Sequence, residues 1–371
     1  MLEDIAQCVV VYSQKNFFGG MNMYNIGIIG AGSISVEHLD AYAKNKDCKV
    51  VAIADLNLDL AKKRAEDYNI EKVYTDYKEM LSDESIDAVS IVTPTFTHKN
   101  IVLDALNSGK NVLCEKPPAL NADEVKECEE AAKKTGKLLM FAMVCRFRNQ
   151  TQYLKKFIKD GKMGKIVSGE CARTFRCHGF EGWFTSRKRG GGVLIDNVIH
   201  ELDNILYLMD YPNPTAVLAS QTFANSDLHS KLKSNSDFWK SEDKNKYETD
   251  VESAIMGYVT FENGAGIYVK AAGTLNSVKT GSYLDISGEK AGARYEGSNG
   301  ALKMLELTDD NYFVETAPQL PENTLFDHEI KHFVDCLGGA ECIIKPSEAV
   351  ILMQIIDAMY KSADTGLPVT F

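Results

Sequence analysis

Apolar residues in the first third of the chain fall into short continuous runs separated by amphipathic stretches. Tyr24 to Ile29 reads as a buried strand, followed by Gly30-Ala31-Gly32-Ser33-Ile34-Ser35 and a helical pattern through Ala43. Val50 to Ala54 is a second run, and Asp87 to Val92 another, ended by Thr93-Pro94-Thr95. Phe96 to Ser108 has helical spacing with Gly109 as its stop, and Asn111 to Cys114 is again strand-like. Ala122 to Thr135 reads as a helix closed by Gly136, and Lys137 to Phe141 as a further strand. Runs without polar alternation suit strands covered on both faces, and strands alternating with helices at this spacing predict a doubly wound parallel sheet.

The pattern changes near Arg146. A helix is expected over Gln150 to Lys159 and a strand over Lys165 to Phe175. Val251 to Phe261 and Ala265 to Ala271 flank Asn263-Gly264, a tight-hairpin signal. Phe326 to Leu337 and Glu348 to Ser362 read as amphipathic helices that pack back across the junction. Asn225 to Tyr247 is polar and lysine-rich, and reads as a mobile excursion near the site or an interface. The expected fold class is α/β: an N-terminal Rossmann domain over 23–145, then an α+β domain with an open, mostly antiparallel sheet over 146–371. Residues 1–22 read as an N-terminal extension without a basic n-region or small-residue cleavage site, so no signal peptide is expected.

Composition narrows the function classes. The 371 residues suffice for two sizeable cores. The formal net charge of −11 argues against nucleic acid or an anionic membrane as partner. No apolar run approaches the ~20 residues of a membrane span. Nine cysteines without a C-x-x-C pair suggest reduced thiols in a cytoplasmic setting, with no disulfide framework and no metal site.

The Gly30–Ser35 turn is the first candidate site. Gly30 permits the tight turn, and Gly32 lets a pyrophosphate approach the backbone at the positive end of a helix that begins with Ser33 and Ile34. Asp55 ends the second strand, 23 residues after Gly32. A carboxylate there accepts hydrogen bonds from ribose hydroxyls and repels a 2′-phosphate, favouring NAD over NADP. The alternative is a cap for the helix starting near Asn57. Thr93 and Pro94 lie at a strand end facing the same cofactor. His98 either lines the cofactor site or serves as a capping or packing histidine. Glu115-Lys116-Pro117-Pro118 ends the strand over Asn111 to Cys114, where ligands bind in open α/β sheets. Lys116 there reaches both a bound nicotinamide and its neighbour.

A second constellation runs from Gly190-Gly191-Gly192 through Asp203. The glycines suggest a flexible entry to a helix reaching about Leu208. Asp196, His200, Asp203 and Tyr207 are spaced four, three and four apart, which places them on one face. Asn197, Glu201 and Asn204 widen that polar face, and Leu194, Ile195, Val198, Leu202, Ile205 and Leu206 form the opposite one. An imidazole beside a carboxylate suits proton transfer near neutral pH.

These stretches resemble the glucose–fructose oxidoreductase and inositol dehydrogenase (Gfo/Idh/MocA) family, from about Met23 to Phe371. The resemblance implies that Lys116 contacts substrate and nicotinamide ribose, that Asp196 positions the substrate, and that His200 exchanges a proton with the substrate oxygen. Arg146 is a further candidate substrate ligand. Ser35 replaces the usual Gly or Ala of the third position, and Val198 stands where members often have glycine, which narrows the pocket. The implied activity is hydride transfer between NAD(H) and a secondary alcohol or ketone of a sugar, inositol or related polyol, in a homodimer or homotetramer. The alternative is an NAD-dependent glycosidase using transient oxidation, and a non-catalytic NAD sensor is a third reading.

The last feature is charge within Arg173 to Arg189, which holds Arg173, Arg176, His178, Arg187, Lys188 and Arg189. Arg187, separated from the glycines by two residues, is the candidate ligand for a carboxylate or phosphate on the substrate. The other reading is a solvated loop or a subunit contact, and strand alternation favours that for Arg173.

Overall fold

The computed structural model describes residues 23–176, 181–223, 249–308 and 310–371. The expectations for residues 1–22, 225–247 and His178 lie outside the described residues.

Strands β1 (Tyr24–Ile29), β2 (Cys48–Ala54), β3 (Lys72–Tyr74), β4 (Ala88–Ile91), β5 (Asn111–Glu115) and β6 (Leu139–Ala142) form one parallel sheet in the order β3-β2-β1-β4-β5-β6. Helices α1 (Ser33–Lys44), α2 (Leu58–Tyr68), α3 (Tyr77–Leu81), α4 (Thr95–Asn107) and α5 (Ala122–Thr135) connect them. β4 and β6 are buried along their whole length, as strands covered on both faces must be. Strand order reverses between β1 and β4, and a crevice at the carboxyl ends of such strands is where α/β sheets bind ligands. The three-residue β3 has no sequence signal of its own and escaped the pattern reading.

The second sheet has nine strands. After α6 (Asn149–Lys159) come β7 (Ile166–Thr174), α7 (Ile199–Leu208), β8 (Pro214–Thr222), β9 (Ala254–Phe261), β10 (Gly266–Ala272), β11 (Gly281–Gly288), β12 (Ala291–Glu296), β13 (Lys303–Leu307) and β14 (Phe313–Thr316). α8 (Leu325–Leu337), α9 (Pro346–Thr365) and β15 (Val369–Thr370) close the chain order. The order is β14-β13-β12-β11-β7-β10-β9-β8-β15, with only β7 and β10 parallel. Asn263-Gly264 turns β9 into β10, with Gly264 at φ +85°. α7 packs against β7, where Ile205 presses on Gly169 so closely that a Cβ there would meet its Cδ1 at 2.4 Å.

α8 lies against α1 and α9 against α5, joining the two halves. Exposed Lys44 on α1 pairs with Asp327 on α8 at 2.8 Å. Arg146, just after β6, makes a deeper joint. Its side chain is 1% exposed and binds both oxygens of Asp203 at 2.7 and 2.8 Å. It also bonds Glu348 at 2.5 Å, Ile343 O at 2.9 Å and Tyr211 Oη at 2.9 Å. This corrects the expectation that Arg146 binds substrate: all of its forked donors are used inside the protein.

Removing Arg146 would leave Asp203 as a buried carboxylate without its cation. Arg146→Ala should therefore lose about 3–5 kcal/mol in chemical denaturation. Lys44→Ala, at an exposed pair, should lose less than ~1 kcal/mol. Comparable losses in the two variants would contradict the structural role of Arg146.

Candidate active site

The Gly30 turn is shaped by close approach. Gly30 has φ +106°, and a Cβ there would meet Val92 O at 2.5 Å. Gly32, by contrast, has nothing within 4 Å of a Cβ position. As N-cap of α1 it supplies no side-chain cap, so the first-turn N–H groups of Ser33 and Ile34 lack one. Open space at uncapped N–H groups fits a dinucleotide pyrophosphate. Ser35 in the third position is buried and donates its hydroxyl to Gly32 O at 2.6 Å, so it is accommodated locally.

Asp55 Oδ2 accepts from Ala31 N–H at 2.7 Å, and Oδ1 from Asn57 N–H at 2.7 Å. The cap of α2 is Asn57, whose side chain accepts from Leu60 N–H. Asp55 thus braces the glycine turn, while each oxygen keeps a further lone pair for a ribose hydroxyl. Arg64 reaches the same turn, donating to Ala31 O at 3.3 Å.

At the end of β5, three residues fix Lys116. Buried Glu115 accepts from Lys116 N–H at 3.0 Å through Oε2 and contacts His38 Nε2 at 3.0 Å through Oε1. His98 lies with Nδ1 2.8 Å from Pro117 O and Nε2 2.8 Å from Thr93 O. It therefore straps the Lys116 turn to the end of β4; burial pushes its pKa down while the two carbonyls oppose that shift. Thr93 contacts Thr97 at 2.7 Å, and Pro94 precedes the first turn of α4. His98 and Glu115 take positioning places; neither was legible as such from spacing.

Lys116 Nζ crosses to the other half. It donates to Asp196 O at 2.8 Å and to Asp196 Oδ1 at 3.1 Å. Asp196 belongs to a π-helical segment, Leu194–Val198, that leads into α7. His200 follows in the first turn of α7. Among the described residues, Asp196 Oδ2 and His200 Nδ1 are buried polar atoms with no hydrogen-bond partner. Buried unpaired acceptors and donors are uncommon and costly, and hydroxyls of a polar ligand would satisfy them.

Three readings of this segment change. The glycines are not a flexible entry: all three are buried, and a Cβ would meet Thr95 at 2.7 Å from Gly190, Phe184 O at 2.2 Å from Gly191 and Tyr360 Oη at 2.8 Å from Gly192. Space, not mobility, requires them. The polar face is enclosed as well: Asn197, Glu201, Asp203 and Asn204 are all buried. Arg148 holds Glu201 at 3.3 Å, and Arg173 lies 3.8 Å from it. Nor does the single face act as one unit: Asp196 bonds Lys116, whose charge also acts on His200, whereas Asp203 binds Arg146 and Tyr207 packs under its guanidinium at 4.9 Å.

Arg187 belongs to a separate cluster. Its guanidinium bonds Gln221 at 2.6 Å and Asp364 at 3.2 Å, lies 3.9 Å from buried Glu252, and stacks on Tyr360 at 4.3 Å. These partners occupy the fork expected to hold a substrate anion. Arg173, which alternation had turned away, is instead one of the cations acting on His200. His200 has its pKa held well below 6.5 by burial first, then by Lys116, Arg173 and Arg148. A neutral imidazole at neutral pH can accept a proton.

A parallel sheet in this order, with a cation, a carboxylate and an imidazole gathered beyond its carboxyl edge, defines a two-part dinucleotide-binding enzyme. Residues 24–143 match the model of an oxidoreductase family with an NAD-binding Rossmann fold, and 155–371 match its C-terminal alpha/beta domain. The chain belongs to the Gfo/Idh/MocA family of oxidoreductases. It is 31% identical over 357 residues to D-glucoside 3-dehydrogenase of Escherichia coli, covering 92% of this chain and 95% of that protein. It is 27% identical over 362 residues to scyllo-inositol 2-dehydrogenase (NAD(+)) of Bacillus subtilis, covering 92% and 94%. A levoglucosan dehydrogenase solved with NADH shares the fold, with a TM-score of 0.79 and 21% identity over 94% of this chain and 98% of that one. No helix among the described residues is long and apolar enough to cross a membrane.

The depressed His200 value can be measured directly. Followed by NMR in the free protein, the His200 imidazole should titrate with a midpoint below 6.5, and Arg173→Gln should move that midpoint upward by removing a neighbouring cation. A midpoint at or above 6.5 in the wild type would contradict the electrostatic picture.

Proposed function

We propose that the protein oxidises a secondary alcohol of a sugar, inositol or related polyol, or reduces the corresponding ketone, using NAD(H). The observation that carries this is the junction itself: Lys116 on Asp196, with Asp196 Oδ2 and His200 Nδ1 left for a ligand. The names of the sugar and inositol dehydrogenases similar to this chain support the substrate class. Residues 23–145 then form the cofactor domain, 146–371 the substrate and assembly domain, and 1–22 an extension.

Gly30, Gly32, Ser33, Ile34 and Asp55 would hold the dinucleotide, with Thr93, Pro94, Glu115 and Lys116 along the nicotinamide end. Bound there, NAD would supply the acceptor for the hydride of the carbinol carbon. His200 takes the hydroxyl proton, and Lys116 stabilises the charge that develops on that oxygen. Asp196 orients Lys116 and accepts from a second substrate hydroxyl. The charges balance: one hydride and one proton leave the alcohol, which becomes a ketone. Val167, Leu218 and Tyr258 are each about half exposed on β7, β8 and β9, and this open face of the sheet suits a homodimer or homotetramer.

Screening NAD reduction across inositols, aldoses and their acids tests the proposal. NADH should accumulate with at least one free polyol. Chromogenic glycoside cleavage without NADH accumulation would replace this reading with the glycosidase one. Lys116→Ala and His200→Ala should each lower kcat by about 100-fold or more, with NAD affinity little changed in His200→Ala. Near-normal turnover in either variant would remove that residue from the chemistry.

Cofactor choice is tested separately. The wild type should bind NAD more tightly than NADP in fluorescence titration. Asp55→Asn, which keeps an acceptor for Ala31 N–H but removes the charge, should narrow that preference. Tighter binding of NADP by the wild type would refute the role given to Asp55.

A further inference from the structure

A second cluster of chemically active side chains lies away from this site, at the end of α8. His332 and Cys336 are one turn apart on that helix, and Cys342 returns to them from the following loop. One donor atom from each lies within 4.8 Å of the other two. Cys336 Sγ is 3.5 Å from His332 Nε2. We propose that His332, Cys336 and Cys342 form a binding site for a thiophilic divalent cation of the zinc class.

The donor set fits such an ion. Zinc-like bonds of about 2.0–2.3 Å place tetrahedral ligands roughly 3.5–3.8 Å apart. The Cys336–His332 pair already has that spacing, and the whole set needs only a small contraction. The lone pair of His332 Nε2 accepts a hydrogen bond from Ile343 N–H at 3.1 Å, and the same nitrogen lies beside Cys336 Sγ. A bound cation would take that lone pair in exchange for the N–H.

The loop is also held in place. Ile343 is fixed at its N–H by His332 and at its carbonyl by Arg146, at 2.9 Å. The cluster therefore rests on the buried Arg146–Asp203–Glu348 network, the kind of outer support that orients metal ligands. His332 and Cys336 are buried, whereas Cys342 is half-buried and borders a surface groove with Glu129, Lys133, Lys137 and Lys345. An ion can enter from that groove, and the fourth coordination position would face it. A Cys336–Cys342 disulfide is the competing use of the two thiols.

Titrating Co²⁺ into the reduced, metal-stripped full-length protein tests this. One equivalent should bind per chain, with thiolate-to-cobalt charge transfer in the near ultraviolet and the intense visible bands of four-coordinate cobalt. Zn²⁺ should bleach both and raise Tm by about 5 °C at a large excess over its Kd. Cys342→Ser and His332→Ala should lose the thiolate signature while retaining the wild-type circular dichroism. Cys8→Ser and Cys177→Ser should keep it. No uptake by the wild type, or a signature that survives Cys342→Ser, would overturn the proposal. A Cys336–Cys342 disulfide found by peptide mapping, together with no cobalt signature after reduction, would overturn it in favour of a redox pair.

Discussion

The contact between the Lys116 ammonium and Asp196 is the constraint around which the molecule is arranged. One partner ends a strand of the parallel sheet, and the other sits on a π-helical turn of the second half, 80 residues later. A charge pair at such a junction works only if both backbones are held. Glu115 and His98 hold the Lys116 turn, and His38 holds Glu115 from α1. On the other side, Asp196 is pinned by its own N–H to Gly192 O at 3.1 Å. π-helical turns inside helices are frequent at functional sites, where they change which side chains face inward.

Electrostatics at the junction follow from the same placement. Lys116, Arg173 and Arg148 all act on His200, and burial adds to them. The imidazole is therefore kept neutral while a positive field faces the position where an alkoxide would form. Glu201, buried between Arg148 and Arg173, keeps those cations from being an uncompensated load. The buried Arg146–Asp203 pair does for the interdomain frame what Lys116–Asp196 does for the site. Taking such charges out of water is costly, and Arg146 and Asp203 are each met by several hydrogen bonds.

Much of this was legible in the chain. Local signals sufficed where the period and the stop residues agreed: β1, α5 with Gly136 at φ +66°, and the Asn263-Gly264 hairpin. Lys116, Asp196 and His200 could be singled out because each lies in a dense motif, and the family resemblance implied a shared site; the contact of Lys116 with Asp196 is supplied by the fold. What failed were inferences about surroundings. Arg146 and Arg187 looked like free cations, and only the folded chain supplies Asp203, Glu348, Asp364 and Gln221 to bind them. The Gly190–Gly192 run suggested mobility because sequence does not report how close Phe184 and Tyr360 come. The burial of Glu201 and Asn204 could not be read because helical periodicity cannot distinguish a surface helix from one enclosed on all sides. The cysteines looked scattered because His332, Cys336 and Cys342 follow no familiar ligand spacing; a loop closes the set.

The central claim is that Lys116 and His200 act on one substrate as a single unit assembled across the junction. A double-mutant cycle on kcat/KM measures that most directly. If the claim holds, Lys116→Ala with His200→Ala will lose little more activity than the worse single variant, because removing either one disables the unit. If instead the two losses multiply in full, the residues act independently, and the junction is not the assembled site described above.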